Sequence, residues 1–316
     1  MSIEVVVAAV RAIARDVLQV DLKARSGAAL PGAQAGAHID LHLPHGPVRQ
    51  YSLVNAAGDA TMDHWRIAVG WDARSRGGST WIHEKLRVGQ TLQAGGPRNQ
   101  FAMDPAHRRV LLLAGGIGMT PIYAMARRCA ALGLDWQLIA CARSASRQAY
   151  AEELRALAGE RVETSCDDER GAPVDLAARL GEAHWDGVYA CGPAPMLDAL
   201  DRATAHWPAG RVRTERFKAQ DPDPGTVRRS FELVLAQSGL NTEVGCDESV
   251  LDALDRLGVD HPFSCREGLC GSCEAPVLDG QVEHHDSVLS AAEKAANQRL
   301  MVCVSRCAGA RLVLDL

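Results

Sequence analysis

Cys265, Cys270 and Cys273 spell C-x4-C-x2-C, with Cys303 further along the chain, and no other feature restricts the fold so tightly. This is the plant-type spacing for a [2Fe–2S] cluster. Iron needs soft thiolate donors, and a tight loop lets three of them converge while backbone N–H groups point at the sulfides. Gly268 and Gly271 suit such a loop because glycine adopts conformations closed to other residues. A zinc knuckle is a rival reading, but zinc sites usually pair two short Cys/His clusters, and the sequence has no second one. A set of structural thiols is the blander alternative. Cys307 also falls near the distance of a fourth ligand, and spacing alone does not choose fully between it and Cys303. A free thiol beside the site is the ordinary reading of Cys307, and Cys246 reads as a core thiol.

Ten cysteines in 316 residues would also suit a secreted disulfide scaffold. Against that, Glu4 interrupts the first apolar stretch and no basic region precedes it. The start therefore does not read as a signal peptide, and a reducing, cytoplasmic compartment is expected. The net charge of −5 disfavours a nucleic-acid partner. No apolar run approaches the roughly 20 residues that cross a bilayer, so no membrane association is expected.

Length and pattern predict a multidomain α/β plus β chain. Up to about residue 103, short alternating stretches such as Val17–Leu22, His38–Leu43 and Trp65–Val69 predict an antiparallel β-barrel or sandwich. From 104 to 217, apolar runs at Val110–Ala114, Gln137–Cys141 and Gly187–Cys191 alternate with helical patterns at Pro121–Leu132, Ala149–Ala158 and Pro195–Trp207. That alternation predicts a doubly wound parallel sheet. Residues 218–229 contain Asp221-Pro222-Asp223-Pro224-Gly225 and read as a linker. Residues 230–316 form the last block, with a hairpin-like start and a helix near Ser249–Leu257.

In the middle block, Val110–Ala114 runs into Gly115-Gly116-Ile117-Gly118-Met119-Thr120-Pro121. Glycines at a strand-to-helix turn admit a pyrophosphate, and the helix N-terminus supplies N–H groups and positive dipole. Gly115, Gly116, Gly118 and Pro121 are the candidate nucleotide contacts. A second strand ends at Cys191-Gly192-Pro193, where parallel strands face the ligand crevice. From spacing alone, a small core thiol is as good a reading of Cys191. Arg143 and Ser144, with Arg147 nearby, would contact the adenosine side, or else form a solvated loop.

In the first block, Arg49-Gln50-Tyr51-Ser52 lies on a predicted strand, and Arg76-Gly77-Gly78-Ser79 precedes a helix-like stretch. The second segment combines N–H groups, a hydroxyl and a guanidinium, which suits a phosphate. His38, His42 and His45 look like a metal triplet, but 38 and 42 fall on the polar face of an alternating strand, so a solvated face is the preferred reading.

With these segments in this order, and with Met301-Val302-Cys303-Val304-Ser305-Arg306, the whole chain resembles the phthalate dioxygenase reductase family. These are the FMN- and [2Fe–2S]-containing reductases of two-component aromatic oxygenases and demethylases, the vanillate demethylase reductase among them. The resemblance implies a flavin-binding barrel, a nucleotide domain and a plant-type ferredoxin (β-grasp) domain. It implies that Arg49, Tyr51 and Ser52, with Gln50 in the same motif, bind FMN, and that Arg76, Gly77, Gly78 and Ser79 hold its phosphate. Ala68, Val69 and Gly70 would pass the ring edge, Thr120 would hydrogen-bond near it, and Phe217 would lie close to the ring. Cys191, with Gly192 and Pro193, would sit at the nicotinamide, and Cys303 would be the fourth cluster ligand.

Implied too are NADH as donor and a terminal Rieske-type oxygenase as acceptor, with Cys191 and Thr120 nearest the chemistry and the reductase a monomer. Arg143, Ser144 and Arg147 keep NADPH open. Two further readings stand beside this one: a reductase serving a cytochrome P450 or another acceptor, and a redox sensor without turnover.

Overall fold

The computed structural model describes every residue except 1, 45, 47, 74, 76, 181–183 and 220–227. The chain divides into two compact units, Met1–Glu215 and Arg216–Leu316. Among the described residues no helix is long and apolar enough to cross a membrane.

The first unit opens with six strands of one antiparallel sheet: β1 (Ser2–Ala14), β2 (Val17–Ala24), β3 (His38–His42), β4 (Val48–Ser52), β5 (Trp65–Gly70) and β6 (Thr91–Arg98). Their spatial order is β4-β3-β6-β1-β2-β5. The sheet curls so that the two edge strands meet, where the Val54 N–H donates to the Arg66 carbonyl at 2.8 Å. Val20, Leu22, Ile39, Leu41, Ile67 and Val69 fill the interior with Trp65, the alternation expected when side chains point to opposite faces. Helix α1 (Gly78–Lys85) lies between β5 and β6 in the chain.

On the outer face of β2, Val17 joins the next core, and Asp21 is buried in a two-point ion pair with Arg66 of β5 (2.7 and 3.0 Å). That core belongs to a parallel sheet of β7 (Arg109–Gly115), β8 (Asp135–Ala142), β9 (Val162–Cys166), β10 (Gly187–Cys191) and β11 (Val212–Glu215), ordered β9-β8-β7-β10-β11. The β7 run is almost wholly apolar because both faces are covered. Val110, Leu112 and Ala114 pack with α2 (Met119–Ala131) and α3 (Ala151–Ala158). Leu111 and Leu113 pack with Leu197 and Leu200 of α4 (Ala194–Thr204). Strands β9 and β11 were not anticipated from the sequence. They are the sheet edges, and Glu163, Ser165, Arg213 and Glu215 break the apolar run that marks a central strand.

The second unit is a five-stranded sheet of β12 (Phe231–Leu235), β13 (Leu240–Val244), β14 (Glu274–Asp279), β15 (Arg299–Met301) and β16 (Arg311–Leu314), ordered β13-β12-β16-β14-β15. β12 and β16 are parallel and the other pairs antiparallel. Helix α5 (Val250–Arg256) buries Val250, Leu251 and Leu254 and starts in a reciprocal cap, in which Ser249 and Asp252 satisfy each other's backbone N–H. This is the β-grasp arrangement expected of the last block.

Candidate functional site

The cysteine loop closes through three departures from ordinary backbone: Arg266, Gly268 and Gly271 have φ of 56°, 67° and 71°. A methyl group on Gly268 would lie 2.7 Å from Val304 Cγ2, so close approach as well as φ demands glycine. Arg266 is the unusual member, since a non-glycine residue rarely adopts positive φ. Its guanidinium is anchored on α5 by Asp252 (3.0 Å) and Asp255 (2.9 Å) and lies 4.4 Å over the Phe263 ring.

The four predicted ligands are all buried, none more than 8% exposed. They fall in two pairs: Cys273 and Cys303 have sulfurs 3.2 Å apart, and Cys265 hydrogen-bonds Cys270. The Glu267 N–H donates to the Cys265 sulfur at 3.3 Å. Hydrogen bonding from the Cys265 thiol favours a thiolate at Cys270 and holds it below the ordinary thiol range, and Cys303 does the same for Cys273. Four soft donors in two adjacent pairs fit two irons. The Cys307 thiol is turned elsewhere, toward the Arg311 carbonyl (3.1 Å) and the Gly309 N–H (3.3 Å). Cys246, expected in the core, is exposed; it lies in the loop between β13 and α5, where the alternation that would bury it has ended.

The nucleotide loop gives its glycines different jobs. A methyl on Gly118 would meet the Cys191 carbonyl oxygen at 2.2 Å, and one on Gly115 would meet Pro193 Cδ at 2.6 Å and Gly192 Cα at 3.2 Å. These glycines let the ends of β7 and β10 pinch together. Gly116 instead has φ +56° and nothing within 4 Å, so it leaves room above the helix. Pro121 is buried in the first turn of α2, and the Thr120 hydroxyl donates to the Ile117 carbonyl at 3.0 Å. Cys191 is fully buried, and burial, reinforced by Glu215, drives its thiol well above the ordinary range. It is a neutral thiol within the sheet core. Arg143 is exposed, Ser144 shares a hydrogen bond with Ser146 (3.1 Å), and Arg147 is ion-paired with Asp16 (2.7 Å).

In the barrel, the Arg49 side chain lies along the first residue of α1: a methyl on Gly78 would be 3.0 Å from Arg49 Cγ. Helix α1 follows Gly77, which has φ 94° and no capping side chain; the Ser79 N–H donates to the Ser75 hydroxyl (3.2 Å), and the other first-turn N–H groups can face an anion. The Ser79 hydroxyl accepts from the Asp72 N–H (3.2 Å), and Arg76 lies outside the described residues. Tyr51 packs on the barrel core and Ser52 is buried.

Gln50 is engaged elsewhere, its amide donating to Asp40 at 2.7 Å, and Asp40 is also gripped by Arg98 through two contacts (2.7 and 2.8 Å). This network covers the face of β3 that was expected to be solvated. His38 is consequently buried, and burial with the Arg98 charge pushes it down to about 4. His42 is exposed as expected, and His45 lies outside the described residues.

Two contacts join these pieces. His83 of α1 hydrogen-bonds the Val69 carbonyl (2.9 Å), and a methyl on Gly70 would touch Ile117 Cβ at 3.3 Å. Ala68–Gly70 thus runs from the phosphate cradle to the nucleotide loop. Phe217 is exposed and falls in the second unit. A cavity of about 570 Å³ lined by Gln19, His64, Arg66, Tyr123 and Tyr150 includes none of the predicted site residues.

The sequence reading missed Glu215. It ends β11 directly opposite Cys191 in the sheet register. Its Oε2 is buried with no hydrogen-bond partner among the described residues, and burial raises the carboxyl to about 8. The only signal was a lone acid closing a four-residue edge strand, and the string Thr214-Glu215-Arg216-Phe217 drew attention to Phe217 instead.

What fold and sites together define is a class: pyridine-nucleotide oxidoreductases that carry a flavin and a [2Fe–2S] centre on one chain. The family model described as "2Fe-2S iron-sulfur cluster binding domain" matches residues 233–308, which include all four paired cysteines. The toluene-4-sulfonate monooxygenase system reductase subunit of Comamonas testosteroni is 63% identical over 314 residues, 99% of each chain. The solved phthalate dioxygenase reductase is 34% identical with a TM-score of 0.71, covering 100% of this chain and 98% of that one. An intact type IV self-sufficient cytochrome P450 monooxygenase is 40% identical with a TM-score of 0.90, covering 100% of this chain and 41% of that one. The chain belongs to the phthalate dioxygenase reductase family.

Proposed function

We propose that this protein is the NADH-dependent reductase component of a multicomponent oxygenase, passing electrons from NADH through FMN and its [2Fe–2S] centre to a terminal oxygenase of the Rieske type. The carrying observation is the Gly70–Ile117 contact, which sets the flavin strand against the nucleotide loop. A flavin, when bound, supplies the conversion of a hydride pair into single electrons, which neither a nicotinamide nor an iron–sulfur centre performs.

The chain's own residues have defined tasks in this reading. Arg49 and the start of α1 hold the FMN phosphate, with Gly77, Gly78 and Ser79, and with Arg76 by its place in the motif. Tyr51, Ser52 and Ala68–Gly70 flank the ring. The open face of Gly116 and the first turn of α2 take the dinucleotide pyrophosphate, and Thr120 fixes the shape of that turn. Cys191, buried as a neutral thiol, backs the nicotinamide site from within the sheet core, and Gly192 and Pro193 set where β10 ends. Functional boundaries fall at 1–103, 104–217, a linker at 218–229 and 230–316. The protein acts as a cytoplasmic monomer, and the 63%-identical relative makes an aromatic-sulfonate oxygenase the first partner to try.

Replacing Cys273 with Ser tests the path. Rapid mixing with NADH should still bleach the flavin at close to the native rate, whereas reduction of the oxygenase should fall at least about 100-fold. Retention of both steps would refute the cluster's place in the path. A cytochrome P450 as acceptor is the second reading, favoured by the similarity to part of a self-sufficient P450. Coupled hydroxylation assays with each kind of partner decide between them. A sensor without turnover predicts negligible cytochrome c reduction by NADH.

A further inference from the structure

The adenosine end of the nucleotide site carries two arginines in one loop, and they are not equivalent. Beyond the carboxyl end of β8, Arg143 is exposed, whereas Arg147 lies with its guanidinium 2.7 Å from the Asp16 carboxylate. Asp16 comes from the barrel, in the turn between β1 and β2. Its position is fixed by backbone: Arg15 N–H donates to the Ser146 carbonyl (2.8 Å), and Trp71 N–H donates to the Asp16 carbonyl (2.7 Å). Arg15 reaches the same carboxylate only at 4.0 Å. Asp16 has φ 63°, a conformation that aspartate and asparagine tolerate better than most residues.

Acids gather on the neighbouring strand end. The Cys166 sulfur and the carboxylates of Asp168 and Glu169 lie within 4.8 Å of one another. The Asp168 N–H donates to the Arg143 carbonyl at 3.2 Å, which ties these acids to the arginine loop. In doubly wound sheets the adenosine ribose lies over such strand ends; a carboxylate there accepts the 2′-hydroxyl, and a free arginine accommodates a 2′-phosphate.

We infer that Asp16 sets the choice of dinucleotide by masking Arg147, so that of the loop's two arginines only Arg143 stays exposed beside the carboxylates and a 2′-phosphate is bound more weakly. The inference rests on the nucleotide site proposed above. Selection arises from a repulsive, charge-cancelling element rather than from a new contact to NADH.

The test uses the full-length, flavin- and cluster-loaded protein and two probes that cannot turn over, ADP-ribose and 2′-phospho-ADP-ribose, titrated calorimetrically. Asp16→Asn keeps the backbone conformation and removes the charge. It should lower the Kd for the 2′-phosphorylated probe about tenfold, the scale of one charge-assisted hydrogen bond, and leave ADP-ribose within about twofold. The gain should shrink in high salt and vanish in the double variant Asp16→Asn/Arg147→Gln. An unchanged ratio, an equal shift for both probes, or a gain that persists without Arg147 would overturn the assignment to Asp16 while leaving the nucleotide site standing. Failure of the native protein to bind either probe would overturn both.

Discussion

Glu215 carries the clearest pH dependence of any single residue. Its carboxyl is raised to about 8 by burial, against an ordinary value near 4.3. Between those values the folded chain keeps a proton that the unfolded chain has released, so stability falls as pH rises through that window. Glu215→Gln should therefore match the native protein in urea midpoint near pH 5 and exceed it near pH 8.5. A native midpoint that does not fall over this range would place the carboxyl in water. The same residue shows where sequence reading stops. The cluster ligands were legible because three of them sit in one short loop, whose spacing is itself the chemistry. Glu215, His38 and Cys246 were not, because burial of a polar or small side chain depends on which strand lies beside it, and that neighbour is distant in sequence.

Among the elements, the turn from β7 into α2 separates two kinds of glycine. Gly118→Ala would drive a methyl into the Cys191 carbonyl at 2.2 Å, and the backbone on that side cannot rotate away. A loss of about 2–4 kcal/mol in stability is expected from such overpacking, read from the urea midpoint. Gly116→Ala meets no atom within 4 Å but adopts φ +56°, so its penalty should be about 1 kcal/mol. Its larger effect should be on dinucleotide affinity, measured with ADP-ribose. Equal stability losses in the two variants would contradict this division. Sequence alone showed the glycine run and the strand and helix around it. It did not show that most of the run serves strand packing, since that follows from β10 ending against β7.

At the scale of the whole molecule, the two units have separate cores, one ending at Glu215 and the other beginning at Arg216. The four metal-fitting cysteines all belong to the second. Calorimetry should therefore resolve two transitions, and stripping the iron should lower one by more than about 10 °C while leaving the other in place; a metal site contributes its binding energy only to the unit that forms it. A single transition that moves as one with iron content would show the units unfold together. The broad plan of barrel, parallel sheet and cluster block was legible because each has its own periodicity. The edge strands β9 and β11 escaped because an edge needs only one apolar flank.

The closeness of the cluster thiols has a bearing on how the protein is made. Sulfurs 3.2 Å apart in Cys273 and Cys303, and the hydrogen-bonded Cys265 and Cys270, are placed to receive iron, yet an oxidant arriving first finds the same sulfurs within reach of each other. A thiolate that attacks peroxide breaks its O–O bond, releases hydroxide and becomes a sulfenic acid, with which the adjacent thiol condenses, releasing water and closing a disulfide. Maturation is thus a race in time, and the newly folded second unit stays competent only where iron and sulfide delivery outpaces oxidation.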